Sequence, residues 1–499
     1  MDIYKCIACI LFFIFIGCSL RNEDSYTYQT DQESELKIFN ETSEYHKMNI
    51  SPRGCSIRLN VGSEYSSETS KFQWYKIDNN NDSTTIVGAT NKYFDTEKFS
   101  SKGIQCYLCN IKTYSSEGEL LIEKNIPFFI AYTGLPTIVI ETPSNAIISS
   151  KTEWLNNSCI SVISEQNKSS LFKIQTSIKG RGNTSWTLPK KPYTLKLEEK
   201  HEILGMPKNK RWNLIANYYD NSFCRNEIAF YLSRCFELDY TVKGRFVDLV
   251  LNGDYKGLYW IGESIKVDKN RININDKKDF LIEMDIYYDE IWKFKSPIKE
   301  FPYMIKNDDY MTTDKLELVE NFVSNLEMLL YPNYNNYDAM PPDENYSRFL
   351  DLKSWAKFWI INEILDNGEL NHPKSCFFTL SDNLIKAGPV WDFDYAGYYK
   401  TDCRVNTSLY YDALFQSPSF NSTCKQIWDK YKETIEVRTA LNNLKEIISI
   451  AYDYDKLLWG IHPDARGYKY NSLDDAIDFF ADVIEYKYNI VNEEILQLE

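Results

Sequence analysis

Two aspartates sit in Gly388-Pro389-Val390-Trp391-Asp392-Phe393-Asp394-Tyr395-Ala396-Gly397, directly after an apolar strand pattern. Closely spaced carboxylates on a fixed segment supply hard oxygen ligands, which a divalent metal ion requires. If the segment stays extended, Asp392 and Asp394 share one face. Upstream, a helical run from Leu352 ends in Asn362-Glu363 and leads into the polar loop Asp366-Asn367-Gly368-Glu369-Leu370-Asn371-His372. A β-hairpin pattern then returns the chain to the aspartates. Glu369 is the loop acid able to orient or deprotonate a hydroxyl, and Asn371 is a neutral oxygen donor for the same metal.

A second cluster, Lys179-Gly180-Arg181-Gly182-Asn183-Thr184-Ser185-Trp186, follows a strand. Gly180 and Gly182 allow backbone N–H groups to approach phosphate oxygens, and Arg181 adds a forked cation. A plain glycine hairpin would look the same. The next strand alternates Tyr193, Leu195 and Leu197 on one face with Thr194 and Lys196 on the other. Lys191 stands at its mouth, so Lys191 or Lys196 could reach a nucleotide phosphate; a solvated strand face is the bland alternative. Asp220-Asn221-Ser222-Phe223-Cys224-Arg225-Asn226-Glu227 opens a helix, with Asp220 or Ser222 as its cap. Glu263, Glu283 and Asp285 end apolar strands, where acids face either a cleft or solvent.

These residues need elements to hold them. Over 499 residues, two or three domains are expected. Aromatics at 15%, including 37 Tyr, favour a strand-rich, partner-facing protein. A net charge of −15 argues against a general nucleic-acid binder. Four scattered histidines give poor support to a His-based triad or metal site. Residues 46–133 read as short alternating strands with a Cys55…Trp74…Cys106/Cys109 order, the pattern of an immunoglobulin-like sandwich; spacing does not choose which cysteine pairs with Cys55. Residues 134–499 place strands first and helices later. Helices are expected at Ser222–Cys235, Asp314–Leu330, Leu352–Leu365 and Leu473–Leu498, with a tight hairpin turn at Asn252-Gly253. The fold class is therefore α+β, with a strand-rich lobe and a helical lobe.

The N-terminus carries Lys5, an apolar run from Ile7 to Ile16, and Gly17-Cys18. Such a run is short for a bilayer span and fits a signal-peptide core. Phe15-Ile16-Gly17-Cys18 resembles a bacterial lipobox, with Phe15 in place of the usual Leu. Residues 1–18 are thus expected to be a lipoprotein signal peptide with Cys18 lipidated, and 19–45 a flexible tether. The expected location is outside the cytoplasm, lipid-anchored to a bacterial membrane (the outer membrane or the cell surface).

Helix, polar loop, hairpin and Asp-Phe is the order in which protein kinases present base and metal ligand. Gly180-Arg181-Gly182-Asn183-Thr184-Ser185, Pro189-Lys190-Lys191-Pro192-Tyr193, Asp220 with Arg225-Asn226, Asn252-Gly253-Asp254-Tyr255-Lys256-Gly257-Leu258-Tyr259 with Glu263, Asn362-Glu363 and Trp391-Asp392-Phe393-Asp394 run in one order from about Pro136 to Gly397. In that order they resemble the CotH kinase family, named for spore coat protein H. The resemblance implies an atypical, two-lobed protein-kinase-like domain that binds ATP with Mg2+ or Mn2+ and phosphorylates Ser/Thr of a protein substrate at or outside the cell surface. By position it implies Asp392 as the metal-binding aspartate, Lys191 or Lys196 as the phosphate-binding lysine and Glu369 as the best match to the catalytic-loop acid; the residues themselves add Asp394 and Asn371 as metal ligands and pair Asp392 with Glu369 for catalysis. Gly180, Arg181, Gly182, Lys191, Lys196, Arg225 and Glu263 would bind the nucleotide. Family members often carry Asp where Glu369 stands, so the longer side chain alters base geometry. The competing reading is a catalytically silent kinase-like surface binding or adhesion lipoprotein. A glycoside hydrolase using Glu369 and Asp392 has no further motif behind it.

Overall fold

The computed structural model describes residues 48–499, except 63–66, 68, 79, 165–169 and 333–340, together with the backbone of 28–30 and 36–42. The expected signal peptide and lipidated Cys18 lie outside the described residues. Two compact units emerge, one of 1–216, 245–261 and 448–460, the other of 217–244, 262–447 and 461–499. Mixed helices and several separate sheets give the α+β class expected from the sequence.

The first unit begins with a five-stranded sheet in the order Met48–Ile50, Leu120–Tyr132, Gly103–Tyr114, Ser70–Ile77, Ser83–Thr85. A second sheet contains Arg58–Val61 and Tyr93–Asp95. Alternation places Ile57, Leu59 and Val61 in one core with Trp74, Tyr107, Cys109 and Phe128. No disulfide forms among the nine described cysteines, so Cys55 pairs with neither Cys106 nor Cys109. Cys106 and Cys109 are three residues apart on one strand, so they face opposite ways. Cys109 is the buried one, opposite Trp74.

The same unit holds a closed seven-stranded barrel: Thr137–Glu141, Leu155–Ile163, Leu171–Gly180, Tyr193–Ile203, Met206–Ile215, Asp254–Glu263 and Gly244–Leu251. Parallel pairing of Thr137–Ile140 with Asp248–Leu251 closes it. Ile138, Ile178, Leu195, Trp212, Leu249 and Ile261 fill the interior. Asn252 and Gly253, at φ 51° and 77°, make the expected hairpin turn, whose left-handed pair Asn-Gly supplies at low cost. Tyr454, on the latter part of the helix Val437–Trp459, joins barrel and sheets: its hydroxyl accepts from Asn49 N–H at 2.8 Å and donates to Phe129 O at 2.7 Å.

The second unit carries an antiparallel sheet ordered Lys293–Lys295, Pro302–Ile305, Phe280–Met284, Cys376–Ser381, Leu384–Ala387. Helix Leu352–Ile364 packs on strand Leu384–Ala387 of this sheet and against helices Arg225–Cys235, Pro418–Tyr431 and Leu473–Gln497, while helix Thr313–Leu330 packs against the turn Glu344–Arg348. Helix Leu352–Ile364 is buried all round rather than along one face. Trp355 stacks on Phe378 of the sheet at 5.2 Å while Trp359 meets Phe415 at 4.7 Å. A helix apolar on every side needs neighbours on every side. Among the described residues no helix is long and apolar enough to cross a membrane.

Candidate functional site

In the second unit the chain leaves helix Leu352–Ile364 through polar residues that are fully buried and individually satisfied. Asn362 Nδ2 donates to Phe358 O at 2.8 Å, and Asn367 Nδ2 donates to Asn362 Oδ1 at 2.9 Å. Glu363 accepts from Arg404 N–H at 2.7 Å, Val405 N–H at 2.8 Å and Lys487 Nζ at 2.8 Å. Such satisfied buried networks fix one backbone path. The path leads into the short 3-10 turn Gly368–Asn371, which presents Glu369.

Glu369 is half-buried and receives Lys374 Nζ at 3.2 Å. Burial first, and then the Asp392 charge, raise its carboxyl above the ordinary range; Lys374 and Arg466 pull the other way. Asp392 takes a left-handed backbone, φ 67°, so the segment bends and is not the extended alternation expected. Its Oδ2 accepts from Ser375 Oγ at 3.3 Å, and Ser375 N–H donates to Asp285 Oδ2 at 2.9 Å. Burial, Asp392, Glu369 and Asp220, in that order, hold the Asp394 carboxyl well above its usual range, with Arg225 opposing. Glu369, Asp392 and Asp394 therefore form one electrostatic group despite the bend.

Helix Arg225–Cys235 anchors this segment. Arg225 is buried, ion-paired with Asp220, and donates through Nε to Ala396 O at 2.8 Å. Phe393 N–H donates to Asn226 Oδ1 at 2.9 Å. Arg225, expected at the nucleotide, thus grips the backbone behind the aspartates, with its guanidinium 4.0 Å from the Tyr398 ring centre. Asn371, expected on the metal, accepts from Ser408 Oγ and donates to Arg404 O at 3.3 Å. Glu263 is fully buried and accepts from Tyr240 OH at 2.8 Å and Lys243 N–H at 3.1 Å.

The glycine and lysine residues belong to the first unit. Gly180 ends a barrel strand, donates to Ser150 O at 2.8 Å, and has the Trp186 ring where a side chain would stand. Arg181 N–H donates to Pro192 O at 3.2 Å, and Gly182 turns the chain at φ 77°. Lys191 Nζ donates to Trp186 O at 2.8 Å, while Lys196 is exposed on the barrel's outer face. Lys190, which the alternation does not single out, is buried: its Nζ ion-pairs with Asp455 and donates to Leu258 O at 2.6 Å. Asp455 Oδ1 also accepts from Leu258 N–H at 2.8 Å, across the left-handed Gly257, where any Cβ would strike that carboxylate. Sequence spacing carries no signal for a partner 265 residues away.

The donor set suits a hard divalent cation bound together with phosphate. Among the described residues no group of three or more His, Cys, Asp or Glu is placed to hold a metal ion by itself. Asp392 and Asp394 offer two mutually repelling carboxylates, and Mg2+ sites commonly take one or two, drawing their other oxygens from phosphate and water. Lys374, Ser375, Asp285 and Asn226 are the site's further members; Asp285, an acid ending an apolar strand, and Asn226, in the Arg225-Asn226 stretch, are marked in the sequence, whereas Lys374 and Ser375 are not. The family model described as CotH kinase protein matches residues 178–488, more than half of the chain. No curated protein matches the chain.

Proposed function

The chain belongs to the CotH kinase family, and from that premise we propose that it is an ATP- and divalent-metal-dependent protein kinase acting on Ser/Thr hydroxyls. The observation that carries this reading is the carboxylate group Glu369, Asp392 and Asp394, fixed from behind by Arg225, Asn226 and the Glu363 network. A divalent ion bound here supplies charge neutralisation for the nucleotide's phosphates. Asp392 and Asp394 are the side chains that would hold it. Glu369 Oε takes the proton of the acceptor hydroxyl as that oxygen bonds to the γ-phosphorus and the bond from phosphorus to the ADP oxygen breaks. A carboxyl raised by burial is better matched to that task than an exposed one. Lys374 pairs with Glu369 and opposes that rise.

Gly180, Arg181, Gly182, Lys191 and Lys196 are the candidate phosphate ligands of the first unit. Outside the kinase-like two-lobed domain, 46–133 serves as an immunoglobulin-like stalk or adhesive module. Cys18 lipidation anchors the protein to a bacterial membrane, where the substrate is a surface or extracellular protein. Thermal unfolding with ATP plus Mg2+ or Mn2+ tests the core claim: stabilisation is expected for the wild type and its loss in Asp392→Ala. Absence of any metal-dependent shift in the wild type sinks it.

One observation favours a catalytically silent binding protein instead. Glu369 stands where the resemblance leads one to expect Asp, and it is already paired with Lys374. Nucleotide binding without phosphoryl transfer to any protein would select that reading.

A further inference from the structure

We infer that Arg466 is the γ-phosphate ligand of the second unit, a cation held ready beside the carboxylates by its own buried anchor. The assignment rests on the nucleotide-binding reading above. Arg466 lies in the connection between helices Val437–Trp459 and Leu473–Gln497, far in sequence from the glycine, lysine and aspartate motifs.

That connection is built to a fixed shape. Buried Asp464 accepts through Oδ1 from Arg466 N–H at 2.8 Å and Tyr468 N–H at 2.9 Å, and through Oδ2 from Tyr470 OH at 3.0 Å. Asp464 N–H donates to Tyr468 O at 2.8 Å, and Ala465 N–H to Tyr219 O at 3.3 Å. His462 stacks on Tyr218 with centroids 3.8 Å apart. The loop so held places the Arg466 guanidinium 5.1 Å from the Tyr395 ring centre and 5.4 Å from that of Tyr399. Tyr395 directly follows Asp394. Arg466 also acts electrostatically on Glu369.

The neighbouring cations are already committed. Arg225 is buried against Asp220, Lys374 pairs with Glu369, and Arg404 pairs with Asp366. Arg466 is exposed, and among the described residues its guanidinium forms no salt bridge. A planar fork oriented on an aromatic face and otherwise uncommitted is suited to bidentate capture of a phosphoryl group. Charge on the transferring phosphoryl group is what such an arginine stabilises. An ADP complex would lack this contact and an ATP complex would have it.

Titration calorimetry of the full chain with ATP and with ADP, each at saturating Mg2+, tests the assignment. The wild type should prefer ATP, and Arg466→Ala should lose ATP affinity by about tenfold or more with ADP affinity unchanged. Arg466→Lys should fall between. An equal change for both nucleotides, or none for either, overturns the assignment. A second arm separates a purely electrostatic role: Mn2+ alone, followed by its paramagnetic resonance signal. If Arg466 only offsets the nearby carboxylates, Arg466→Ala binds Mn2+ more tightly and leaves the ATP/ADP ratio as in the wild type, which also overturns it. A wild type that binds neither nucleotide removes the kinase reading itself, and the assignment with it. Arg466 is solvent-exposed, so unchanged thermal unfolding of the apo variant is the expected control.

Discussion

Lys487 Nζ lies 2.8 Å from Glu363 Oε1, with both side chains wholly withdrawn from solvent. One sits on the last helix and the other at the end of helix Leu352–Ile364, 124 residues apart. The same ammonium donates to Asp402 O at 2.9 Å, and Asp366 stands 3.8 Å away with Arg404 on its other side. A buried charge pair of this kind is a weak source of net stability, because desolvation offsets much of its attraction. Its consequence is positional: it fixes the start of the loop that carries Glu369.

Removing one partner therefore costs far more than removing both. Lys487→Met leaves the Glu363 carboxylate buried without its cation, and a loss of about 3–5 kcal/mol is expected by urea unfolding. Adding Glu363→Gln removes the stranded charge and should restore part of that, because the amide oxygen still accepts from one of the two backbone N–H groups while the other loses its acceptor. Additive losses in the double variant would mean that the pair is not coupled.

Local features were readable from the chain, and long-range ones were not. Asn252-Gly253 declares its turn because only left-handed-tolerant residues fit there, and helix Leu473–Gln497 declares itself by period. Closure of the barrel depends on Thr137–Ile140 finding Asp248–Leu251, more than a hundred residues on, and no local pattern encodes that register. The aspartates were legible as a cluster, yet their bend at Asp392 was not, since Asp carries no obligatory left-handed signature. Strand alternation is a local rule. That rule locates Lys196 on the barrel's outer face correctly but says nothing of Lys190, whose burial is set by Asp455 from a distant helix.

Asp248 should make the first unit's stability depend on pH. It is fully buried, accepts from Thr133 Oγ1 and from Tyr255 OH at 2.8 Å, and burial raises its carboxyl to about 7 from 3.8. The folded state thus holds a proton that the unfolded chain releases near 4. Its stabilising contribution is complete below that value and is lost as pH rises through about 7. Between pH 4 and 8 the loss is of order 4 kcal/mol. Asp248→Asn should flatten this slope in denaturant midpoints, whereas parallel curves for the two proteins would count against it.

The grip of Asn226 on Phe393 N–H predicts a local effect. Asn226→Ala removes the acceptor from a buried N–H, a cost of about 1–3 kcal/mol. Amide exchange across 388–397 should quicken, and metal-dependent ATP affinity should fall while the barrel strands stay protected. Unchanged exchange in that segment would show that Arg225 and Ala396 suffice to hold it.

Glu369 is where chemistry and binding can be separated. As the base, it must be ionised, so kcat should rise with pH and level off above its raised titration point. Glu369→Gln should lower kcat by about 10²–10⁴-fold with nucleotide affinity retained. Lys374 holds the Glu369 carboxyl down against the pull of burial and Asp392. Lys374→Ala should therefore move the acid limb of the kcat profile to higher pH without abolishing the plateau. A limb that stays in place in Lys374→Ala, or transfer that persists undiminished in Glu369→Gln, would assign the proton to another acceptor. Asp285, joined to Asp392 through Ser375, would be the next carboxylate to test.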